Sequence, residues 1–140
     1  IHTIAEMIRN HPLPDFFRGP EDFEIPNLKE IASSAKSILD LGCGFCVMEP
    51  FPLDSLDDQE QVECFRILSQ LLGRPVAQKW DGTMMYEVTD TGQPYSYGVR
   101  GSYTNVELPF HNDNAFGIRL PEYVGLLCKR PAREGGVSRF

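Results

Sequence analysis

The feature that most constrains the fold is a change in sequence texture at Pro75. Before it, apolar residues recur every three or four positions, as on one face of a helix, and Gly73 with Pro75 then ends the pattern. This stripe consists of Val62, Phe65, Leu68 and Leu72. After Pro75 the sequence changes to short β-type runs separated by turns. These runs cover residues 84–89, 97–104, 106–110, 123–129 and 136–140. Helices followed by strands favour an α+β class with a β-sandwich or barrel.

The amino-terminal half predicts two further helices and some strand. Capping patterns and apolar spacing place these helices at about 3–10 and about 27–36. Residues 37–41 and 45–48 are rich in β-type side chains and are expected to be strands around a Gly and Cys turn. The clearest helix is predicted to begin at a cap within residues 55–58.

Composition excludes several classes of protein. Thirteen Lys and Arg against 20 Asp and Glu give a net charge of −7, which disfavours a nucleic-acid binder because such proteins normally present a basic patch. No run approaches about 18 consecutive apolar residues, so no membrane association is expected. Charges lie where the apolar centre of a secretory signal would be, so we expect a cytoplasmic protein.

The boundaries of the domain are also interpreted from the sequence. No repeat, low-complexity tract or flexible linker occurs, so residues 1–140 are interpreted as a single domain. The β-type run 136–140 has no turn residue after it, and we therefore expect the domain to be truncated at its carboxyl end.

Four cysteines leave two interpretations open. Cys43 and Cys46 have the C-x-x-C spacing of a zinc knuckle or a redox pair, while Cys64 and Cys128 stand alone. The simpler interpretation is that all four are small buried apolar side chains in a reducing compartment.

A glycine-rich segment at residues 38–44 suggests one possible function. It resembles the first motif of class I methyltransferases, in which a strand leads into a tight turn beside S-adenosylmethionine, here at Gly42 and Gly44. That arrangement requires a helix directly after the glycines, because the backbone must approach the cofactor closely. Residues 45–52 instead contain two prolines and β-type residues.

His111 and Asp113 form a second candidate site. Side chains two positions apart on a strand point to the same face, so an imidazole and a carboxylate could occupy neighbouring positions on one metal ion. With a later His they would form the facial triad of non-haem Fe(II) enzymes. The same spacing also arises when a His at the end of a strand precedes a turn-forming Asp.

The surrounding residues are similar to one family. Segments 105–116, 121–128 and 132–138 resemble the taurine dioxygenase-like (TauD/TfdA) Fe(II)/2-oxoglutarate oxygenases, and segments 44–52 and 72–78 resemble the amino-terminal half of that family. Because these segments occur in the family's order, the resemblance is more specific than any single motif. It also reassigns the glycines at 42 and 44 to a strand turn.

The resemblance implies a fold and a set of site residues. The fold is a double-stranded β-helix, a jelly-roll of the clavaminate synthase-like type, incomplete in this chain and with the amino-terminal helices packed on it. His111 and Asp113 become the first two Fe(II) ligands, and the Ser138 hydroxyl binds a carboxylate of 2-oxoglutarate. The residues expected to line the substrate side are Asn105, Glu107 and Phe116. The family's third ligand, a His, and its 2-oxoglutarate-binding Arg are not in this chain.

The resemblance also implies the reaction. The enzyme would use Fe(II), 2-oxoglutarate and O2 to hydroxylate or desaturate an unactivated C–H bond of a small polar molecule. Glu107 would suit a substrate amine through a charge-assisted hydrogen bond, and a homo-oligomer is possible. Two alternatives remain: an S-adenosylmethionine-dependent methyltransferase, with Gly42 and Gly44 at the cofactor, and a non-catalytic jelly-roll binding protein.

Overall fold

The computed structural model of the chain describes residues 2–49, 51, 53–115 and 117–139. It contains two compact units: a helical unit, made of Ile1–Arg74 and Gly125–Phe140, and an extended unit, made of Pro75–Val124. The α-helices are α1 at His2–Asn10, α2 at Pro26–Leu41 and α3 at Asp58–Leu72. Short 3-10 turns occur at Asp15–Phe17, Pro20–Asp22, Leu53–Ser55 and Gly101–Tyr103.

Helix α3 confirms the prediction from the apolar stripe, with a different first residue. Asp57 is the N-cap: its carboxylate accepts from the Glu60 backbone N–H at 2.8 Å, and the Glu60 carboxylate accepts from the Asp57 N–H at 3.0 Å. This reciprocal capping box satisfies two backbone donors that the first helical turn leaves open. At the other end, the Gly73 N–H donates to the Ser69 carbonyl at 3.1 Å.

Helix α2 corrects the predicted strand at residues 37–41. The helix begins with Pro26 at its first position, continues through that segment and ends at Gly42, whose N–H donates to the Ile38 carbonyl at 3.0 Å. A Cβ at position 42 would lie 2.8 Å from that same carbonyl oxygen, so glycine suits the helix end. The β-type residues are helical here because Ala32 and Ala35 are buried and α2 packs against α3. A helix in place of the strand before the glycines removes the basis of the methyltransferase interpretation.

The core of the helical unit combines residues from helices and from the irregular segments between them. Its buried members are Ala5, Ile8, Phe23, Ile25, Leu56, Cys64 and Ile67. Ile67 on α3 has no exposed surface, so truncating it would leave a cavity. The carboxyl-terminal segment of this unit contacts α3 through an ion pair between Lys129 Nζ and Asp58 Oδ1 at 3.0 Å. The hydrogen bond from Lys129 lowers the pKa of Asp58.

The cysteines differ from the simpler interpretation. Only Cys64 is buried; Cys46 is half-buried, and Cys43 and Cys128 are exposed, all four with free thiols. Burial raises the pKa of the Cys64 thiol to about 11. The expectation of four buried cysteines is therefore wrong for three of them.

The extended unit contains no β-strand in its described residues. Two isolated backbone hydrogen bonds connect the end of the run 84–89 and the turn after it to the run 97–104. The Thr89 N–H donates to the Ser102 carbonyl and the Thr91 N–H to the Tyr103 carbonyl, both at 3.0 Å. A strand requires a continuing ladder of such bonds, and residues 101–103 form a 3-10 turn instead.

The other predicted strands are also wrong within the described residues, where none of them forms a strand. These are 37–41, 45–48, 106–110, 123–129 and 136–139. Apolar side chains of these runs, such as Val88, Leu108 and Leu126, remain more than half exposed and do not form a buried sheet face. The jelly-roll is thus not observed in the part of the chain that the structure describes. The turn at Asp90 is confirmed, because its carboxylate accepts from the Gly92 N–H at 2.8 Å.

No helix formed by the described residues is both long enough and apolar enough to cross a bilayer.

Candidate metal centre

The segment that leads to the predicted ligands is held at its start by Thr104. Thr104 is the buried end of the 3-10 turn at Gly101–Tyr103, and its hydroxyl donates to the Gly101 carbonyl at 3.0 Å. The Val106 N–H donates to the same hydroxyl oxygen at 3.4 Å. These bonds fix where the chain leaves the turn, and residues 105–111 then continue without helix or strand.

The imidazole of His111 is oriented by the backbone just before it. Nδ1 lies 2.8 Å from the Pro109 carbonyl oxygen. A carbonyl can only accept, so Nδ1 carries the hydrogen, and in the neutral ring Nε2 keeps its lone pair. Metal-binding histidines commonly use one nitrogen as ligand while the other donates to a carbonyl or carboxylate. With Nδ1 bonded to the Pro109 carbonyl, Nε2 is the nitrogen that a metal ion would use.

Asp113 lies opposite that free nitrogen. Nε2 of His111 and Oδ1 of Asp113 are 3.5 Å apart, and each side chain is about half exposed, at 52% and 51%. A lone pair facing a carboxylate oxygen is unfavourable unless a proton or a metal cation lies between them. Two cis ligands about 2.1 Å from one octahedral ion lie about 3.0 Å apart. The observed separation is about 0.5 Å longer than this value.

A tight turn follows Asp113. Asn114 has a φ of 53°, and its carbonyl accepts from the Gly117 N–H at 2.8 Å. A Cβ at position 117 would lie 3.1 Å from the Asn114 carbonyl oxygen, a tight contact that a glycine avoids.

Comparison with known proteins assigns the family. The model of the "Taurine catabolism dioxygenase TauD, TfdA family" matches residues 9–140. The chain belongs to this family. A curated relative, FR-33289 synthase of Streptomyces rubellomurinus (strain ATCC 31215), is 30% identical over 100 residues, which is 70% of this chain and 28% of that protein. The chain therefore spans less than a third of the length of that relative. No solved structure gives a significant match.

The other predicted site residues of this TauD/TfdA chain are distributed over both units. Asn105 and Glu107 are exposed in the extended unit, which also contains His111 and Asp113. Phe116 lies outside the described residues. Ser138 is exposed in the segment that belongs to the helical unit, and its role toward 2-oxoglutarate stays a prediction. No group of three or more His, Cys, Asp or Glu side chains suited to a metal ion occurs among the residues described.

A charged pocket that no sequence pattern indicates lies in the helical unit of this TauD/TfdA chain. The pocket has a volume of about 250 Å³. Its lining residues are Ile8, Arg9, Asp15, Arg18, Asp57, Gln59, Glu60 and Glu63. Arg9 on α1 forms a bidentate ion pair with Glu60 on α3, 51 positions later. This hydrogen bond from Arg9, together with the Asp57 N–H, lowers the pKa of Glu60 to about 2.

A second ion pair stabilises the same pocket. Arg66 binds the Glu63 carboxylate at 2.6 and 2.7 Å, and its Nη2 also donates to the carbonyls of Asp15 and Arg18 at 2.9 and 2.8 Å. Asp15 in turn accepts from the Gln59 side chain at 2.7 Å and pairs with Arg18. These ion pairs and hydrogen bonds around the pocket connect α3 to α1 and to the loop that follows α1. The bonds from Arg66 and Gln59 to residues 15 and 18 join positions 44 to 51 apart and leave no local signal that could predict them.

Proposed function

We propose that the chain carries part of the catalytic centre of an Fe(II)/2-oxoglutarate-dependent oxygenase. The reaction would hydroxylate or desaturate an unactivated C–H bond of a small polar molecule. The observation that carries the proposal is the 3.5 Å separation between Nε2 of His111 and Oδ1 of Asp113. Membership of the TauD/TfdA family supports it, because the matched residues 9–140 include both side chains.

The donor set suits the proposed metal. One imidazole nitrogen and one carboxylate oxygen are two of the three ligands of a facial triad, the arrangement that non-haem Fe(II) oxygenases use. His111 would bind through Nε2, since Nδ1 is committed to the Pro109 carbonyl. Asp113 would add a negative charge that favours a divalent cation. A third ligand, a His, and an Arg for 2-oxoglutarate are not assigned to any residue of the 140.

The chain's own residues have separate tasks in this proposal. His111 and Asp113, both in the extended unit, would hold the ion. The Ser138 hydroxyl would donate to a carboxylate of 2-oxoglutarate. When bound, Fe(II) together with 2-oxoglutarate supplies the oxidation of the C–H bond by O2. The protein's contribution is to orient these components and exclude water around them.

The substrate class is proposed from Glu107. Glu107 is exposed and lies four residues before His111 in the same unit. A carboxylate near the site would bind a substrate amine through a charge-assisted hydrogen bond, which favours an amino acid or a related amine. Phe116 is proposed as an aromatic contact to the substrate, and Asn105 as a further polar contact to it. Residence in the cytoplasm, a possible homo-oligomer and the absence of nucleic-acid or membrane partners stay predictions.

The proposal is tested by measuring succinate formed from 2-oxoglutarate in the presence of Fe(II) and air, with small amines and amino acids as candidate substrates. The assay uses the longest polypeptide that contains residues 1–140. Succinate formation should fall at least about a hundredfold in His111→Ala and Asp113→Ala, because each removes a metal ligand. The matched control is Asn112→Ala, which changes the exposed residue between the ligands and should retain the activity of the wild type.

Two outcomes would contradict this account. Equal succinate formation by the wild type and His111→Ala would remove the proposed centre. An unchanged KM for an amine substrate in Glu107→Gln would remove the amine preference but leave the oxygenase proposal intact.

A further inference from the structure

The segment directly after α2 contains two cysteines that the proposed function does not use. Cys43 is exposed and Cys46 is half-buried, and both thiols are free. On either side of the first cysteine, the N–H groups of Gly42 and Gly44 both donate to the Ile38 carbonyl, at 3.0 and 3.3 Å. The backbone around Cys43 is therefore held against the end of the helix, while its thiol is accessible from solution.

The side chain of Cys43 is directed along the chain toward the second cysteine. Its Sγ donates to the Phe45 carbonyl oxygen at 3.3 Å. That oxygen belongs to the peptide group that joins Phe45 to Cys46, so the Cys43 sulfur lies beside the backbone of the other cysteine. Residues 45–49 form neither helix nor strand. No ladder of backbone hydrogen bonds therefore has to break for Cys46 to turn its thiol toward this sulfur.

The surroundings of the pair favour one of the two uses that the C-x-x-C spacing allows. A structural zinc ion needs four ligands, and in the described part of the chain no group of three or more His, Cys, Asp or Glu side chains could hold a metal ion. A disulfide needs only two cysteines whose Cα atoms come within about 7 Å, which the first and fourth residues of a turn do. The pair thus has what a disulfide requires and half of what zinc requires.

We propose that Cys43 and Cys46 are a redox-modification site, at which a small-molecule disulfide such as oxidised glutathione converts the two thiols into an intramolecular disulfide. The exposed Cys43 thiolate attacks one sulfur of oxidised glutathione, forms a mixed disulfide and releases one glutathione thiolate. The Cys46 thiolate then attacks the Cys43 sulfur and displaces the second. The two cysteine protons pass through water to the two glutathione thiolates, so the protein loses two electrons and oxidised glutathione gains them.

The modification is local and separate from the proposed metal centre. Both cysteines belong to the helical unit, whereas His111 and Asp113 belong to the extended unit. The bond would connect the end of α2 to the segment that follows it. Because the closed loop is very short, the disulfide removes little entropy from the unfolded chain, and we expect the same helices in both redox states.

The experiment exposes the chain to oxidised glutathione and maps the products. After incubation, free thiols are alkylated and the peptides are identified by mass spectrometry. In about 0.1 mM reduced glutathione, the Cys43–Cys46 disulfide should exceed the mixed disulfide at Cys43 at least about tenfold, because a short loop gives the second thiol a millimolar effective concentration. Dithiothreitol should restore both thiols. In concentrated urea this ratio should fall about threefold or more, because the folded turn no longer directs the Cys43 side chain.

Three substitutions define the role of each cysteine. Cys46→Ser should accumulate glutathione on Cys43, because the thiol that displaces it is missing. Cys43→Ser should acquire glutathione on Cys46 more slowly, since that thiol is half-buried. The matched control is Cys128→Ser, which removes another exposed cysteine of the same unit and should leave the intramolecular disulfide unchanged.

Several results would overturn the proposal. Wild-type chain that carries glutathione on either cysteine without the intramolecular bond would show that the pair does not close. A bond from Cys43 to Cys128 or to a second chain, in place of the bond to Cys46, would show the wrong partner. Equal ratios in buffer and in urea would show that the fold does not prepare the pair. Loss of the far-UV circular dichroism of the helices on oxidation would contradict a local modification of the folded chain.

Discussion

The helical unit and the extended unit differ in where their apolar side chains lie. All the buried hydrophobic residues of the described chain belong to the helical unit, whereas the one buried residue of the extended unit is polar, Thr104. In the extended unit Trp80 and Ile118 are almost completely exposed, at 98% and 104%. The helical unit thus has the burial and the ion pairs that stabilise a fold, and the extended unit has the proposed metal ligands.

This difference separates stability from chemistry along the chain. Binding residues often lie on irregular segments that a more rigid scaffold supports. Here the His111 ring is oriented by the Pro109 carbonyl, and the side chains of His111 and Asp113 are both half-exposed rather than held in a core. Changes in the helical unit should therefore affect folding, and changes near the ligands should affect binding.

The largest expected effect is that of Ile67→Ala in the helical core. Removing a fully buried side chain should lower the free energy of unfolding by about 2–5 kcal/mol. The matched variant Ile118→Ala, in the extended unit, should change it by less than about 0.5 kcal/mol. Urea unfolding followed by far-UV circular dichroism measures both. Similar losses in the two variants would break the comparison between the units.

Thiol reactivity tests whether the helical core stays closed. The pKa of Cys64 is raised by burial from 9.0 to about 11, which reduces its thiolate fraction about a hundredfold relative to the ordinary value. Cys128 in the same unit is exposed. Iodoacetamide should therefore alkylate Cys128 at least about a hundred times faster than Cys64, as measured by peptide mapping. Comparable rates would show that the core opens readily.

Acid should weaken the contact between α1 and α3 through Glu60. The pKa of Glu60 is lowered from 4.5 to about 2, mainly by the hydrogen bond from Arg9. A lowered pKa in the folded state means that the ion pair stabilises the protein above pH 4.5, and that this contribution disappears as the pH falls toward 2. Glu60→Gln should therefore be less stable than the wild type at neutral pH and converge with it near pH 2.

Urea unfolding at a series of pH values measures this convergence. The control is Glu24→Gln, which changes an exposed carboxylate of the same unit. A stability difference between Glu60→Gln and the wild type that stays constant from neutral to acidic pH would contradict the role of the ion pair.

The smallest expected effect on stability is that of replacing the proposed ligands by alanine. His111→Ala and Asp113→Ala each change a half-exposed side chain and should alter the free energy of unfolding by less than about 0.5 kcal/mol. The same variants should lose metal binding. A large loss of stability in either would show that these side chains support the fold, and the separation between the two units would be wrong.

The sequence predicted those features that depend on local patterns. Helix α3 follows from apolar residues at helical spacing, whereas His111 and Asp113 lie 3.5 Å apart without the strand from which their shared face was predicted. Helix α2 was predicted too short because residues 37–41 were interpreted as a strand, whereas the helix, which packs against α3 and buries Ala32 and Ala35, continues through them.

Features that depend on distant partners could not be predicted. The ion pair between Arg9 and Glu60 joins residues 51 positions apart, and neither position has a local pattern that specifies the other. The β-type runs after Pro75 have suitable side chains, but a strand forms only when its backbone groups find a continuous partner. The left-handed conformation of Asn114 is compatible with an Asn and was not required by any sequence pattern.

The most direct test of the central claim is an anaerobic titration with Fe(II) and 2-oxoglutarate, made on the longest polypeptide that contains these residues. The measured quantity is the visible charge-transfer absorption of iron-bound 2-oxoglutarate. The account predicts an absorption band that saturates for the wild type and for Asn112→Ala and is lost in His111→Ala and Asp113→Ala. Identical titrations for the wild type and both ligand variants would contradict the assignment of His111 and Asp113 as the iron site.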